Sequence, residues 1–270
     1  DFDIFSDIAD GLGLRDNFTE GKNEQDWIKK IYDIACQKAA LHDIIFPSFD
    51  EFWSLGFVEI PAPNKPFVAM ADFRSDPSKF PRKTPSGKIE IFSETIDSFG
   101  YDDCLGHPTW LEPIEWLGSK LAEEFPLHMI SNQPRDRLHA QLDYSKISQK
   151  TKIAGREPVR INPEDAASRA IQTGDVVKIY NNRGAILAGA LIYSSIRPGV
   201  IELSTGAWYD PLNPGKPGTL EVHGNPNVLT PDRGTSKLAQ GPTAHSTLVQ
   251  VEKFDGDIPG VRVSKRPTIV

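Results

Sequence analysis

The sequence predicts an α+β chain, with a mixed helical and proline-rich part over residues 1–120 and a small β-barrel over 121–270. Three observations predict it. Apolar residues recur at helical spacing near the start, prolines crowd the stretch from 58 to 88, and from residue 127 short β-branched runs alternate with Gly, Pro, Asn and Asp turns.

In the first part, Phe5, Ile8, Ala9 and Leu12 form one helical stripe, and Gly11 and Gly13 stand where that helix would stop. From Glu24 to about Leu41, Trp27, Ile31, Ile34, Ala35 and Lys38 make a second amphipathic pattern opposite Lys29, Lys30 and Asp33. Ser48 and Glu51 are spaced as a capping box ahead of a short turn, Phe52 to Leu55, that Gly56 closes. Phe46, Phe49, Phe52, Trp53 and Phe57 read as core or interdomain packing. Pro61, Pro63, Pro66, Pro77, Pro81 and Pro85 then exclude long helices. Ile89 and Ile91 alternate with Lys88 and Glu90 as a half-buried strand would, and the boundary between the parts falls near Gly118 to Phe125.

In the second part, Leu127 to Ile130 is a buried strand and Val159 to Ile161 another. Asn162 is a helix N-cap, Pro163 suits the first helical position, and Glu164 and Asp165 favour the first turn, giving a short helix to about Ile171. Gly174-Asp175 turns into Val176 to Tyr180, and Asn181 to Gly184 makes a hairpin into Ile186 to Tyr193. Arg197-Pro198-Gly199 leads to Val200 to Leu203, and Thr247 to Glu252 closes the barrel. Spacing alone leaves other barrels open.

Composition narrows the function. With 39% hydrophobic residues in 270, the chain has material for a real core. A net charge of −7 argues against nucleic acid or an anionic membrane as the main partner. No apolar run approaches the roughly 20 residues of a membrane span, and the opening DFDIFSDIADGLG lacks the layout of a signal peptide. Cys36 and Cys104 are read as reduced thiols.

The chemically dense stretch is LHMISNQPRDRLHAQ, residues 127 to 141, where a strand breaks into Ser131, Asn132, Gln133, Arg137, His139 and Gln141. Planar amides, a guanidinium fork and an imidazole suit a flat heterocycle carrying a phosphate, with Arg137 the residue for the phosphate. A polar turn with satisfied side chains is the alternative. A second group, Trp208, Tyr209, Asn225, Asn227 and Gln240, lies in a Gly- and Pro-rich region of the kind that carries binding loops; Asn225 and Asn227 could equally serve turns. His107 and His223 lack zinc spacing and read as satisfied or solvent-facing. Ser246 beside His245 lacks an acid at useful spacing. No catalytic or metal-ligating residue is assigned.

The segments SNQPRDRLHAQ, TPSGKIEIFSETI, GHPTWLEP, GREPVRINPEDAA, GAWYDP and GNPNVLTPDRGTSKLAQGP, in that family's order, resemble the dimethyl sulfoxide reductase family of molybdopterin oxidoreductases. The likeness is greatest to trimethylamine N-oxide, dimethyl sulfoxide and biotin sulfoxide reductases, and it covers their C-terminal third. It implies a double-psi barrel that binds part of a bis(molybdopterin guanine dinucleotide) molybdenum cofactor through the two residue groups above, with the metal ligand outside this chain. Ala140 stands where related sequences often have Ser, which removes one hydroxyl contact. The activity implied is removal of oxygen from an N-oxide or S-oxide. The partners implied are the remainder of the molybdoenzyme and a c-type cytochrome as electron donor. The compartment implied is the bacterial periplasm, or the cytoplasm for a biotin sulfoxide reductase. Alone, the chain is expected to be inactive.

A reading from another class is a free-standing, non-catalytic barrel that binds a nucleotide, a pterin or a protein. Exposure discriminates the two: a missing large partner should leave residues such as Phe73, Phe80, Trp110 and Trp116 uncovered.

Overall fold

Capping chemistry sets most helix starts in the computed structural model, which describes residues 1–62 and 65–265. Pro63 lies outside the described residues. By compactness the chain divides into two units, Asp1–Lys88 and Ile89–Val270. The division expected near residue 120 followed the start of the barrel strands. The irregular segment before them belongs with the barrel because the Glu115 carboxylate takes Arg183 Nη1 at 2.6 Å and Nη2 at 2.9 Å, and the Leu248 N–H at 2.8 Å.

The first unit holds α1 (Phe2–Gly11), α2 (Arg15–Thr19), α3 (Glu24–Ala40), α4 (Phe49–Leu55) and α5 (Ala71–Ser75). The Asn23 side chain accepts the Asp26 N–H and the Asp26 carboxylate accepts that of Asn23, which starts α3. Ser48 and Glu51 do the same for α4, and Gly56 ends it at φ 80°. Buried Tyr32 stacks on Phe52 at 4.4 Å, meets Phe49 edge-on at 5.7 Å, and donates its hydroxyl to the Pro47 carbonyl.

The expected first helix forms; of its stripe α1 buries Ala9, together with Ser6, while Phe5, Ile8 and Leu12 are exposed, because α2 packs on the Ala9 side: the Leu14 N–H bonds the Ala9 carbonyl and Phe18 stacks on Phe2. Trp53 and Phe57 are exposed, which excludes the core reading for them and leaves the interdomain one.

The second unit holds α6 (Glu94–Asp97), a 3₁₀ turn at Lys120–Glu123, β1 (Leu127–Ile130), α7 (Lys146–Thr151), β2 (Pro158–Ile161), α8 (Pro163–Ala167), β3 (Val176–Asn181), β4 (Gly184–Ile192), β5 (Val200–Leu203) and β6 (Thr247–Lys253). Ile89 and Ile91 form no strand. They are 62% and 79% exposed, and their alternation finds no partner strand among the described residues. α8 stops at Ala167, short of the expected Ile171.

The six strands close in the order β1-β5-β2-β4-β3-β6, with β1·β5 and β2·β4 parallel and the other pairs antiparallel. This is the expected double-psi β-barrel. Alternate strand residues fill it, among them Met129, Ile161, Ile179, Ile186, Ile201 and Val249, all fully buried. Gly189 on β4 is required because a Cβ there would lie 2.3 Å from Ile153 Cβ.

Register decides where the loops go. Met129 pairs with both Ile201 and Thr247, and Val159 pairs with Leu203. The ends of β1 and β5 and the starts of β2 and β6 therefore share one end of the barrel. Both long polar connections, 131–157 and 204–246, open there.

Candidate functional site

The two connections are sewn together where they leave parallel neighbours β1 and β5. The Asn132 carbonyl accepts the Thr205 N–H at 2.9 Å, and its side-chain oxygen accepts the Ser204 hydroxyl at 3.1 Å. Ser131 is buried just before it. Farther out, His139 adopts φ 49° over Gly206, itself at φ 93°. A Cβ on Gly206 would fall 1.9 Å from the His139 carbonyl oxygen, so only glycine permits this approach. The Trp208 indole N–H donates to the Ala140 carbonyl at 2.7 Å, and its ring lies 5.3 Å from Tyr144. Residues 131–141 and 204–208 are thus one surface.

The expected phosphate contact of Arg137 does not fit this geometry. Its side chain is 2% exposed, and its donors are taken by the His139 carbonyl at 3.2 Å, Ser148 Oγ at 3.4 Å and the Thr205 carbonyl at 3.0 Å. It pairs with Asp143 at 3.4 Å and Glu157 at 3.1 Å, and Lys152 joins the same carboxylates at 2.7 and 2.5 Å. Burial alone would raise the Asp143 carboxyl, but the Lys152 ammonium and the Trp208 N–H outweigh it and hold it below the usual range.

His223 joins this cluster from the second connection. Its Nδ1 lies 2.9 Å from the Trp208 carbonyl, so that nitrogen carries the proton, and its own carbonyl accepts the Glu157 N–H. Burial, and after it the Lys152 charge, lower its basicity and leave the ring neutral. This fulfils the reading of His223 as satisfied. Glu221, fully buried, accepts four backbone N–H groups, from Asp210, His223, Gly224 and Asn225. Burial raises its carboxyl above the usual range, and those four donors offset only part of the rise.

Asn225 caps the short 3₁₀ turn Pro226–Val228, its side chain accepting the Asn227 N–H at 3.0 Å, which is the turn duty considered for it. Asn227 is exposed beside it. Gln240 donates to the Ser236 carbonyl at 2.7 Å within the excursion Gly234 to Pro242, which also carries Lys237, ion-paired to Asp102. Gln240 therefore takes its contact within its own loop. Gln133, His139, Gln141, Tyr209 and Asn227 are exposed.

The barrel end thus presents planar amides, an imidazole and two aromatic rings on a base of buried charge. Such a set can match the donor and acceptor edge of a heterocycle. A phosphate would find backbone N–H groups or Arg135, whose side chain is 94% exposed. Sequence reasoning missed Asp143, Lys152 and Glu157. The one local signal was three charged residues bracketing a Ser145-capped helix, and that pattern ordinarily marks a solvated face.

Residues 127–248 match the molydopterin dinucleotide binding domain family. Over 268 residues, 99% of this chain, the sequence is 47% identical to the dimethyl sulfoxide/trimethylamine N-oxide reductase of Cereibacter sphaeroides, and the chain covers 32% of that protein. It is 46% identical over 264 residues to trimethylamine-N-oxide reductase 1 of Escherichia coli K12, covering 97% of this chain and 31% of the relative. The chain therefore spans about a third of the length of these relatives and corresponds to their C-terminal part. Among solved structures, acetylene hydratase from Pelobacter acetylenicus matches with a TM-score of 0.53 and 21% identity, over 66% of this chain and 25% of its own, which is a likeness of fold.

Proposed function

Residues 127–248 belong to the molydopterin dinucleotide binding domain family, and from that premise we propose that this chain is the C-terminal part of a bacterial molybdenum oxidoreductase that reduces an N-oxide or S-oxide. It forms one wall of the site for bis(molybdopterin guanine dinucleotide). The observation that carries this reading is the joining of 131–141 to 204–208 at one barrel end, inside the matched residues.

The residues fit such a group. Gln133, Gln141 and Asn227 offer in-plane amide donors and acceptors, and Ser131, Asn132, His139, Trp208, Tyr209, Asn225 and Gln240 complete the proposed contact set. Arg137 acts from behind by holding the His139 and Thr205 carbonyls. When bound, molybdenum supplies the oxygen-atom and electron chemistry, while this chain binds, orients and excludes water. No residue here is assigned a proton-transfer or nucleophilic step.

Uncovered apolar surface supports a larger parent protein over a free-standing barrel. Trp110 is 76% exposed in the second unit, and Phe80 is 40% and Phe67 87% exposed in the first. Phe73 and Trp116 are half-buried. No helix among the described residues is long and apolar enough to cross a membrane. A periplasmic location and a c-type cytochrome donor complete the proposal.

The test is turnover of the complete protein with a chemically reduced dye as donor. Trimethylamine N-oxide, dimethyl sulfoxide, biotin sulfoxide and methionine sulfoxide would be offered in turn, with the isolated 270 residues as a control expected to be inactive. Turnover of none of the four by the cofactor-loaded protein would remove the substrate class.

A further inference from the structure

Beneath the joined loops, two cations and two carboxylates alternate in a ring. Lys152, 1% exposed at its side chain, bridges Asp143 and Glu157, and Arg137 bridges the same pair from the other side. Each member also has a tie outside the ring or a fixed place in the chain. The second oxygen of Asp143 takes the Trp208 N–H at 3.0 Å. Arg137 holds the carbonyls of His139 and Thr205. The Glu157 backbone is bound to the barrel wall, its N–H to the His223 carbonyl at 2.9 Å and its carbonyl to the Gly189 N–H at 3.0 Å. Lys152 ends α7, so that helix is pinned as well.

We propose that Lys152, Asp143 and Glu157 are positioning residues that set the spacing between the 131–141 and 204–208 surfaces and thereby hold the dinucleotide wall in its binding geometry. The idea deepens the cofactor reading and rests on it. None of the three side chains reaches the exposed face, so none touches the cofactor.

Removing four charges from water is expensive, and well-packed apolar residues of similar volume would stabilise a fold equally well or better. What the ring supplies and apolar packing does not is direction. Fixed donors and acceptors tie His139, Thr205 and Trp208, which lie on two connections far apart in sequence, to Glu157 at the foot of β2. A shift of either loop breaks a charge-assisted bond in a site shut off from bulk solvent, where the loss is not made good cheaply.

The experiment compares two variants with the wild type in the complete protein: Lys152→Met, and the charge-balanced pair Lys152→Met with Glu157→Gln. Hydrogen exchange is followed in peptides covering 131–143 and 204–210, with β3 and β4 as internal reference. Guanine nucleotide released per protein is measured in parallel. Lys152→Met should speed exchange of both loops by roughly a hundredfold, the scale of a buried charge left without its partner, and lower the guanine content.

The balanced pair should restore barrel protection, yet leave both loops exchanging roughly tenfold faster than wild type, the scale of losing one or two hydrogen bonds, with guanine still reduced. If the single variant fails to fold, the pair alone decides. Wild-type loop protection and guanine content in the pair would overturn the proposal, because the ring would then serve the fold only. Loop exchange that rises while guanine content stays at the wild-type level would also overturn it. A wild type with no guanine would instead refute the cofactor reading, and the exchange data would still report whether the ring spaces the loops.

Discussion

His223 Nδ1 donates to the carbonyl oxygen of Trp208 at 2.9 Å, in a site where both the imidazole and the neighbouring Asp143 are 2% exposed at their side chains. The bond requires a proton on Nδ1, and burial disfavours a second proton on the ring. In the unfolded chain the ring titrates near its ordinary 6.5. As pH falls below that value the unfolded state takes up a proton that the folded state refuses. Stability is therefore complete above the unfolded value and is lost as pH drops toward the lower folded one. The loss should approach about 1.4 kcal/mol per pH unit for this proton, and His223→Gln should flatten that segment. Urea unfolding between pH 7 and 5 measures it; an unchanged slope would show that His223 is not the group.

Gly206 carries the contact between the loops. Gly206→Ala combines a left-handed φ with a clash against the His139 carbonyl. It should cost about 2 to 4 kcal/mol of local or global stability and move the Trp208 indole off the Ala140 carbonyl. Thermal unfolding reads the first effect. Tryptophan emission, compared with a Trp208→Phe control, reads the second.

The Glu115 carboxylate ties residues 89–120 to the barrel through both Arg183 terminal nitrogens and the Leu248 N–H. Glu115→Ala takes the carboxylate from both Arg183 terminal nitrogens and from the buried Leu248 N–H, leaving Arg183 only its Nε bond to the Leu229 carbonyl, so a loss of roughly 3 kcal/mol is expected. Glu115→Gln should cost less, because the Leu248 N–H keeps its acceptor. Equal midpoints in urea for the two variants would contradict the assignment.

Gln133 and Asn227 are exposed amides on the proposed wall. Gln133→Ala and Asn227→Ala in the complete protein should leave the unfolding midpoint within about 0.5 kcal/mol of wild type while lowering molybdenum and guanine content. Full cofactor content with full turnover would take both residues out of the contact set.

The barrel was legible because its strands are short, β-branched and punctuated by residues with one conformational job. Asn162 and Pro163 start α8, and the Asn181–Gly184 hairpin joins β3 to β4. The strand read from Ile89 and Ile91 failed because alternation states a preference and supplies no partner for the ladder. On α1 the expected helix is present but only Ala9 of its stripe is buried, for a related reason: periodicity names an apolar face, not what covers it. The two polar loops of the proposed site were legible, since turn chemistry and apolar runs placed those loops. Its foundation was not. Asp143, Lys152 and Glu157 went unassigned, because only the register of β1, β5 and β2 brings them under the loops, and the same burial turned Arg137 inward.

The central claim is that this barrel end binds a guanine dinucleotide of molybdopterin. Purified complete protein should be denatured, and its released nucleotide and metal quantified against protein mass. The account predicts guanine nucleotide and molybdenum together, at about two guanines per metal, in a protein roughly three times the length of this chain. Protein of that length that is purified intact and releases neither guanine nor molybdenum would contradict it.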